Sequence, residues 1–447
     1  MEKFIIEGGI PLQGEITPSG NKNAALPLLA ACLLTEEAVI LHNVPDIRDV
    51  NDMRLLIESL GVEIVDLERS TVRAANNGGT PVRDGIRFPG RSWRITAGAV
   101  RPADLDPDLC RRIRASILLA GPMSARAGEM RLPPPGGDVI GRRRLDTHIL
   151  ALKKLGVDVK YARSFEFKAK RLKGAEILLD EASVTGTENV IMAAVTAKGT
   201  TLLRNAASEP HVQELCQMLN SLGAKISDIG SNTLHIQGVE GLHGGEFTIG
   251  PDYLEVVSFI GAAAVTRGEV RIHNAGPQYL DMVRIIFRRL GVDWSVDGED
   301  ILVPPRQRMK IEPDLGNAIP EIKTNVWPAF PTDLMSIAIV VATQAKGSVL
   351  FHDWMYPGRM VFADKLVGMG AQIVVCDPHR CIVNGPNKLY GEKMESPDIR
   401  AGMALLLAAL AAQGQSTIRN VGQIDRGYEN VDGKLRSLGA QIERVKE

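Results

Sequence analysis

The stretch Glu188–Ile226, "ENVIMAAVTAKGTTLLRNAASEPHVQELCQMLNSLGAKI", decides how the rest of the chain is read. An apolar run suited to a buried helix is followed by Gly199, then by the alternating segment "TTLLRN". Next comes "HVQELCQMLNSLG", with the three- and four-residue apolar spacing of an amphipathic helix. Its Leu-Gly end suits a helix stop, because glycine accepts the positive φ of a C-cap. The order is helix, strand, helix, strand.

The same order recurs from Tyr253 in "YLEVVSFIGAAAVTRGEVRIHNAGPQYLDMVRIIFRRLGVDW". It recurs again in "TDLMSIAIVVATQAKGSVLFHD", "RAGMALLLAALAAQGQSTIRNVG", "NAALPLLAACLLTEEAVILHNVP" and "RASILLAGPMSARAGEMRLPP". Closing glycines fall at Gly61, Gly156, Gly223, Gly291, Gly370 and Gly439. A strand-bearing unit of this length is too long for tetratricopeptide or ankyrin arrays. A helical solenoid is the competing architecture. Six units in 447 residues point to two domains of three units, with helices inside and sheets outside or the reverse. "SIAIVVATQA" and "MALLLAALAA" are apolar nearly all round, which favours burial at a domain centre.

Lys plus Arg is 52 and Asp plus Glu is 53, a balance unlike that of a dedicated nucleic-acid binder. Five cysteines and the absence of a signal-peptide pattern in the first 30 residues fit a cytoplasmic protein. Cys376 and Cys381 lack the companions of a metal site. The longest apolar runs fall short of a membrane span.

One repeat is longer between its glycines. Gly128 and Gly156 are 28 residues apart, against 23 for Gly347 and Gly370. The excess lies in "RLPPPGGDVIGRRRLDTH", Arg131–His148. Three prolines stiffen the ascent and Gly136-Gly137 frees the tip, which reads as a lid. Arg142, Arg143 and Arg144 suit an oxyanion, or solvent. Upstream, Arg111, Arg112 and Arg114 belong to the same unit.

"GEITPSGNKNAALP" sets Lys22 at a helix start, where backbone N–H groups favour an anion. A capping turn with an exposed lysine is the plainer alternative. Asp333 in "AFPTDLMS" stands at the mouth of a buried helix, as a cap or a functional acid. Arg359, Asp398, Arg400, Asp425 and Arg426 lie at corresponding ends of later units, either converging on a cleft or pairing locally. The residues alone point to a two-domain enzyme for a multiply anionic small substrate.

"SGNKNAALPLLAA", "RRIRASILLAGP", "PGGDVIGRRRLDTHI", "AFPTDL" and "IDRGYENVDGKLRSLGAQIERV" together resemble the UDP-N-acetylglucosamine enolpyruvyl transferases of bacterial cell-wall synthesis, from Phe4 to Val445. The resemblance implies an inside-out α/β barrel with a substrate cleft between two three-repeat domains. One domain would be 21–251, the other 1–20 with 252–447. It implies transfer of the enolpyruvyl group of phosphoenolpyruvate to the 3′-hydroxyl of UDP-N-acetylglucosamine, with release of phosphate.

By the same resemblance, Lys22, Arg114, Arg143 and Arg426 meet phosphoenolpyruvate and Asn23 meets the sugar. Asp333 is the base for the hydroxyl, and Asp398 with Arg400 forms a pair near the reacting centre. His148, Ser183, Val184 and Gly186 meet the uridine nucleotide, and Arg359 lies on the sugar side. No metal, organic cofactor, nucleic acid, membrane or obligate protein partner is expected.

Asp138 stands where most such enzymes carry cysteine. A carboxylic acid can donate the proton to the methylene carbon if its surroundings raise its pKa from near 4. Fosfomycin, which alkylates that cysteine, should then not inactivate the protein. A loop-stabilising carboxylate is the alternative for Asp138. Tyr253, the "VTGTENV" run and the stretch "PVRDGIRFPGRSWRI" also depart from the family wording. They leave open an enolpyruvyl transferase for another nucleotide or sugar acceptor. A catalytically silent sugar-nucleotide binder is the reading from another class.

Overall fold

The computed structural model describes residues 2–67, 90–102, 104–138, 140–141 and 143–446. The chain divides into two compact units. Unit 1 holds Met1–Pro18, Asp138–Arg142 and Pro251–Glu447, and unit 2 holds Ser19–Gly137 and Arg143–Gly250. Of the stretch "PVRDGIRFPGRSWRI", residues 81–89 lie outside the described residues, as does Arg142.

The repeat around Glu188 shows how each unit is built. Strand Glu176–Leu178 leads to helix Val184–Ala194, strand Thr200–Arg204 and helix Pro210–Ser221, and then to the hairpin Lys225–Ser227 with Thr233–Gln237. The opening strand pairs parallel with the central one, Ile177 opposite Leu203, and the hairpin closes the other edge antiparallel. The pattern is therefore two strands richer than helix, strand, helix, strand. The opening strand "EIL" is too short to show alternation, so periodicity misses it. All six closing glycines have φ between 82° and 103°, the left-handed cap that their position after Leu or Met requires.

The helices of unit 2, in chain order, are α1 (Lys22–Ala31), α2 (Arg48–Ser59), α3 (Pro107–Arg112), α4 (Ala120–Arg126), α5 (Asp146–Lys154), α6 (Val184–Ala194) and α7 (Pro210–Ser221). Those of unit 1 are α8 (Tyr253–Thr266), α9 (Asp281–Arg289), α10 (Met335–Gln344), α11 (Ala363–Gly368), α12 (Ile399–Ala411) and α13 (Val431–Ser437). The helices apolar on every side sit at the centres. All fourteen residues of α8 are buried, and α8, α10 and α12 pack on one another in unit 1. Six sheets, formed by the described residues, surround these centres and turn alternate residues to solvent. Helices inside and sheets outside is the arrangement found, and the strands rule out a helical solenoid.

The chain reaches back to finish its sheets. Strand Glu2–Glu7 lies between Gln415–Arg419 and Gln441–Lys446, pairing antiparallel with both. Strand Gln13–Ile16 opens the sheet that Glu269–Ile272 continues. In unit 2 the late strand Gly245–Thr248 completes the sheet of Val39–Val44.

His273 ties three strands of unit 1 together. Its Nδ1 is 2.9 Å from Asp300 and its Nε2 is 2.9 Å from Glu15. Partial burial pulls the imidazole pKa down, but the hydrogen bonds and charges of Glu15 and Asp300 together outweigh it and leave it raised. A raised folded-state pKa contributes stability below the unfolded value, near 6.5, and loses it as pH rises through the folded value. His273→Gln should therefore lower the melting temperature most at pH 5.5, with the gap from wild type closing by pH 9. A constant gap across that range would show that the histidine is not charged in the fold.

Candidate functional site

In unit 2, Asn21 caps α1, its carboxamide oxygen accepting from the N–H groups of Asn23 and Ala24. That cap sets Lys22 as the first helical residue. Lys22 is buried, and its Nζ lies 2.7 Å from Asp49 in the first turn of α2. An exposed lysine beside a capping turn is thus not what the fold makes.

Arg114 opens the 3-10 turn Arg114–Leu119 that runs into α4. Its Nη2 donates to the carbonyls of Arg143 and Arg144, at 2.7 and 2.9 Å. Gly136 and Gly137 donate their N–H groups to the Cys110 and Arg111 carbonyls at the end of α3. A Cβ at Gly136 would stand 1.7 Å from the Arg111 carbonyl oxygen, and Gly137 has φ 103°. The glycine pair therefore serves close approach and a left-handed turn, where the sequence suggested freedom at the tip. Arg114, Gly137 and Arg143 come together here. Arg111 and Arg144 point elsewhere, to Asp108 and Asp146.

The starts of α5 and α6 form a second group. Ser183 caps α6 and accepts from the Gly186 N–H, Val184 is the first helical residue, and Gly186 lies against Ser183 and Thr147. His148 Nε2 is 2.8 Å from Thr185 Oγ1, and Thr147 donates to Asp180. Burial, with the Arg114 charge beside it, pulls the His148 pKa down to about 3. The imidazole is neutral at physiological pH and contributes shape and a hydrogen bond rather than charge.

In unit 1, Asp333 lies in the first turn of a 3-10 segment, Thr332–Leu334, just before α10. Its carboxylate is held from two sides. Arg359 Nη2 donates to Oδ1, and Arg400 Nε and Nη2 reach Oδ2 at 3.1 Å. The two guanidiniums are only 8 % and 6 % exposed. Burial alone would lower the Arg400 pKa, but Asp333, Tyr428 and Asp252 raise it, so the group stays charged. Arg359 keeps Nε and Nη1 buried and without a hydrogen-bond partner among the described residues.

Asp398 meets Arg400 through its backbone. It caps α12, accepting from the backbone N–H groups of Arg400 and Ala401 at 2.8 and 3.0 Å. The Arg400 guanidinium meets Asp333 and Tyr428, while the Asp398 carboxylate meets the Arg400 backbone N–H. Likewise Asp425 pairs with Arg444, at 2.8 and 2.9 Å, and not with its neighbour Arg426. Arg426 pairs with Asp138 and donates to Gln423 at 3.2 Å. Asp138 and Arg426 are 16 % and 11 % exposed. Beside them Ile140 accepts from the Gly358 N–H, and Gly141 packs on Pro357.

Comparison with known proteins fits this geometry. The pattern of EPSP synthase (3-phosphoshikimate 1-carboxyvinyltransferase) matches residues 6–92 and 90–435. A UDP-N-acetylglucosamine 1-carboxyvinyltransferase of Bradyrhizobium diazoefficiens is 54% identical over 445 residues, covering 100% of this chain and 98% of that protein. The enzyme of that name from Treponema denticola is 51% identical over 443 residues, with 99% of each covered. The chain belongs to the UDP-N-acetylglucosamine 1-carboxyvinyltransferase family. Two solved structures share its fold. The enolpyruvyl transferase NikO from Streptomyces tendae aligns with TM-score 0.85 at 24% identity, over 100% of this chain and 99% of that one. EPSP synthase from Acinetobacter baumannii aligns with TM-score 0.73 at 18% identity, over 100% of both chains. The helices-in, sheets-out architecture described above is thus the enolpyruvyl transferase fold.

For this carboxyvinyltransferase-family chain, the sequence missed Asp49, Gln423 and Thr185. Thr185 lies in the "VTGTENV" run, whereas Asp49 and Gln423 carry no motif of their own. Among the described residues no helix is long and apolar enough to cross a membrane. Among them, too, no group of three or more His, Cys, Asp or Glu could hold a metal. Burial pushes the thiols of Cys110, Cys216 and Cys381 up to about 11, 12 and 12.

Removing the Asp333 charge should leave two buried guanidiniums without their shared anion. Asp333→Asn is expected to cost about 3 kcal/mol, read as a fall in the urea midpoint. Asp398→Asn keeps a cap acceptor and should move the midpoint little. Equal losses in the two variants would mean that Asp398 also answers a buried charge.

Proposed function

We propose that this protein transfers the enolpyruvyl group of phosphoenolpyruvate to the 3′-hydroxyl of UDP-N-acetylglucosamine and releases phosphate, in peptidoglycan precursor synthesis. The observation that carries the reading is the end-to-end match, at 54% and 51% identity, to proteins named for this activity. The cationic groups of the two units supply what such chemistry needs. Two anionic substrates cannot share a water-poor site without preorganised positive charge.

In this reading Lys22, Arg114, Arg143 and Arg426 take the donor, and the two unpartnered nitrogens of Arg359 offer further donors to an oxyanion. Asn23 meets the sugar. Ser183, Val184 and Gly186 at the start of α6, with neutral His148, receive the nucleotide, whose diphosphate suits a helix N-terminus. Arg400, on the helix that Asp398 caps, holds Asp333, which accepts the hydroxyl proton once a substrate anion draws an arginine from it. The hydroxyl oxygen bonds to C2 of the donor as a proton passes to the methylene carbon. The C2–O bond to phosphate then breaks as a proton is taken back from the new methyl group, restoring the vinyl group.

Asp138 is the acid in this scheme, in the place where most relatives carry cysteine. Asp138 pairs with Arg426, and in this reading the donor's phosphate takes Arg426 as Asp138 turns to the methylene carbon. The substrates place the enzyme in the cytoplasm, and the reaction calls for no cofactor.

Mixing the protein with both substrates should release phosphate and give an adduct of the sugar nucleotide heavier by one carboxyvinyl group less hydrogen. If UDP-N-acetylglucosamine is inert while another nucleotide sugar turns over, the acceptor is wrong. Asp138→Ala should lower kcat on the order of 10²- to 10⁴-fold. Near-normal turnover in that variant would remove Asp138 from the acid role. Fosfomycin should leave activity and intact mass unchanged, and a covalent adduct would contradict the assignment.

A further inference from the structure

We propose that Asp49 is a positioning residue, holding the Lys22 ammonium where it meets the anionic donor. The inference rests on the reading of Lys22 given under Proposed function. Lys22 and Asp49 are 9 % and 6 % exposed, with Nζ and Oδ2 2.7 Å apart. A lysine as the first residue of α1 stands at the positive end of that helix dipole, the unfavourable end for a cation. Its flexible stem also has rotamer freedom to lose. A buried carboxylate at hydrogen-bonding distance meets both costs, by pairing the charge and by fixing the stem.

A carboxylate in the first turn of α2 could serve that helix's own dipole and nothing more. The surroundings argue for more. Asp52 lies three residues on, so two buried acids share one face of α2. Like charges at that spacing repel. Burial first, with Asp49 adding to it, pushes the Asp52 carboxyl pKa up despite Arg112 and Arg48. Dipole compensation needs neither the burial nor the second acid.

Each acid instead faces a cation outside α2. Asp49 faces Lys22, and Asp52 lies 3.6 Å from Arg112 at the end of α3. The same end of α3 holds the foot of the loop, through the Cys110 and Arg111 carbonyls that accept from Gly136 and Gly137. The first turns of α2 thus set both the donor-binding ammonium and the root of the segment that carries Asp138.

The test uses the full-length enzyme, with phosphoenolpyruvate affinity and steady-state constants as readouts. Asp49→Asn should raise the KM for phosphoenolpyruvate on the order of tenfold, with the KM for UDP-N-acetylglucosamine within about twofold. Asp49→Glu, which keeps the charge, should recover most of that loss. In a Lys22→Gln background, Asp49→Asn should change donor affinity no further. Should the Asn variant not fold, Asp49→Ser against Asp49→Glu makes the same comparison. A wild-type donor KM in the neutral variant overturns the proposal, as does an equal loss with and without Lys22. If Lys22→Gln alone binds phosphoenolpyruvate as wild type does, the reading of Lys22 itself has failed, and this inference fails with it.

Discussion

A cation taken out of water costs several kcal/mol in lost hydration unless an anion meets it at close range. That constraint shapes the candidate site. Lys22 is met by Asp49, Arg359 and Arg400 by Asp333, and Arg426 by Asp138. Each pair lies within one unit of the fold. Buried positive charge is therefore kept in each unit by carboxylates that the protein itself supplies. Two of those carboxylates, Asp333 and Asp138, also carry proposed proton-transfer roles. In the proposed scheme, a substrate that takes an arginine frees the acid or base behind it.

The repeated architecture makes such pairs possible. Each repeat puts one helix, apolar on all sides, at the centre of its unit, so helix starts lie beside other helix starts. Asp398 caps α12 while Arg400, two residues on, reaches Asp333 ahead of α10. Ser183 caps α6 while Thr185 meets His148 on α5. Residues far apart in sequence but at equivalent points of their repeats thus become neighbours. A cap fixes the backbone, and the next one or two side chains do the work.

Periodicity made the core legible. The apolar runs became buried helices, and every closing glycine adopted the left-handed cap expected of it. What escaped were segments too short to carry a period, such as the three-residue opening strands, and pairings that depend on distance in space. Asp398 beside Arg400, and Asp425 beside Arg426, invited local ion pairs. The structure gives Asp398 to the backbone and Asp425 to Arg444, because helix caps and strand edges outrank sequence adjacency.

The sequence by itself determined the helix centres, the repeat count and the charged character of the loop, since apolar spacing and glycine placement act locally. It also pointed to the cations, because arginines at matching ends of matching repeats can be counted in one dimension. Which anion holds each of them was decided only in three dimensions. Asp49 is 27 residues from Lys22, and Asp138 is 288 from Arg426. No local rule links such positions. Packing of helix ends brings the first pair together and the loop brings the second, and the cost of an unpaired buried charge keeps them there.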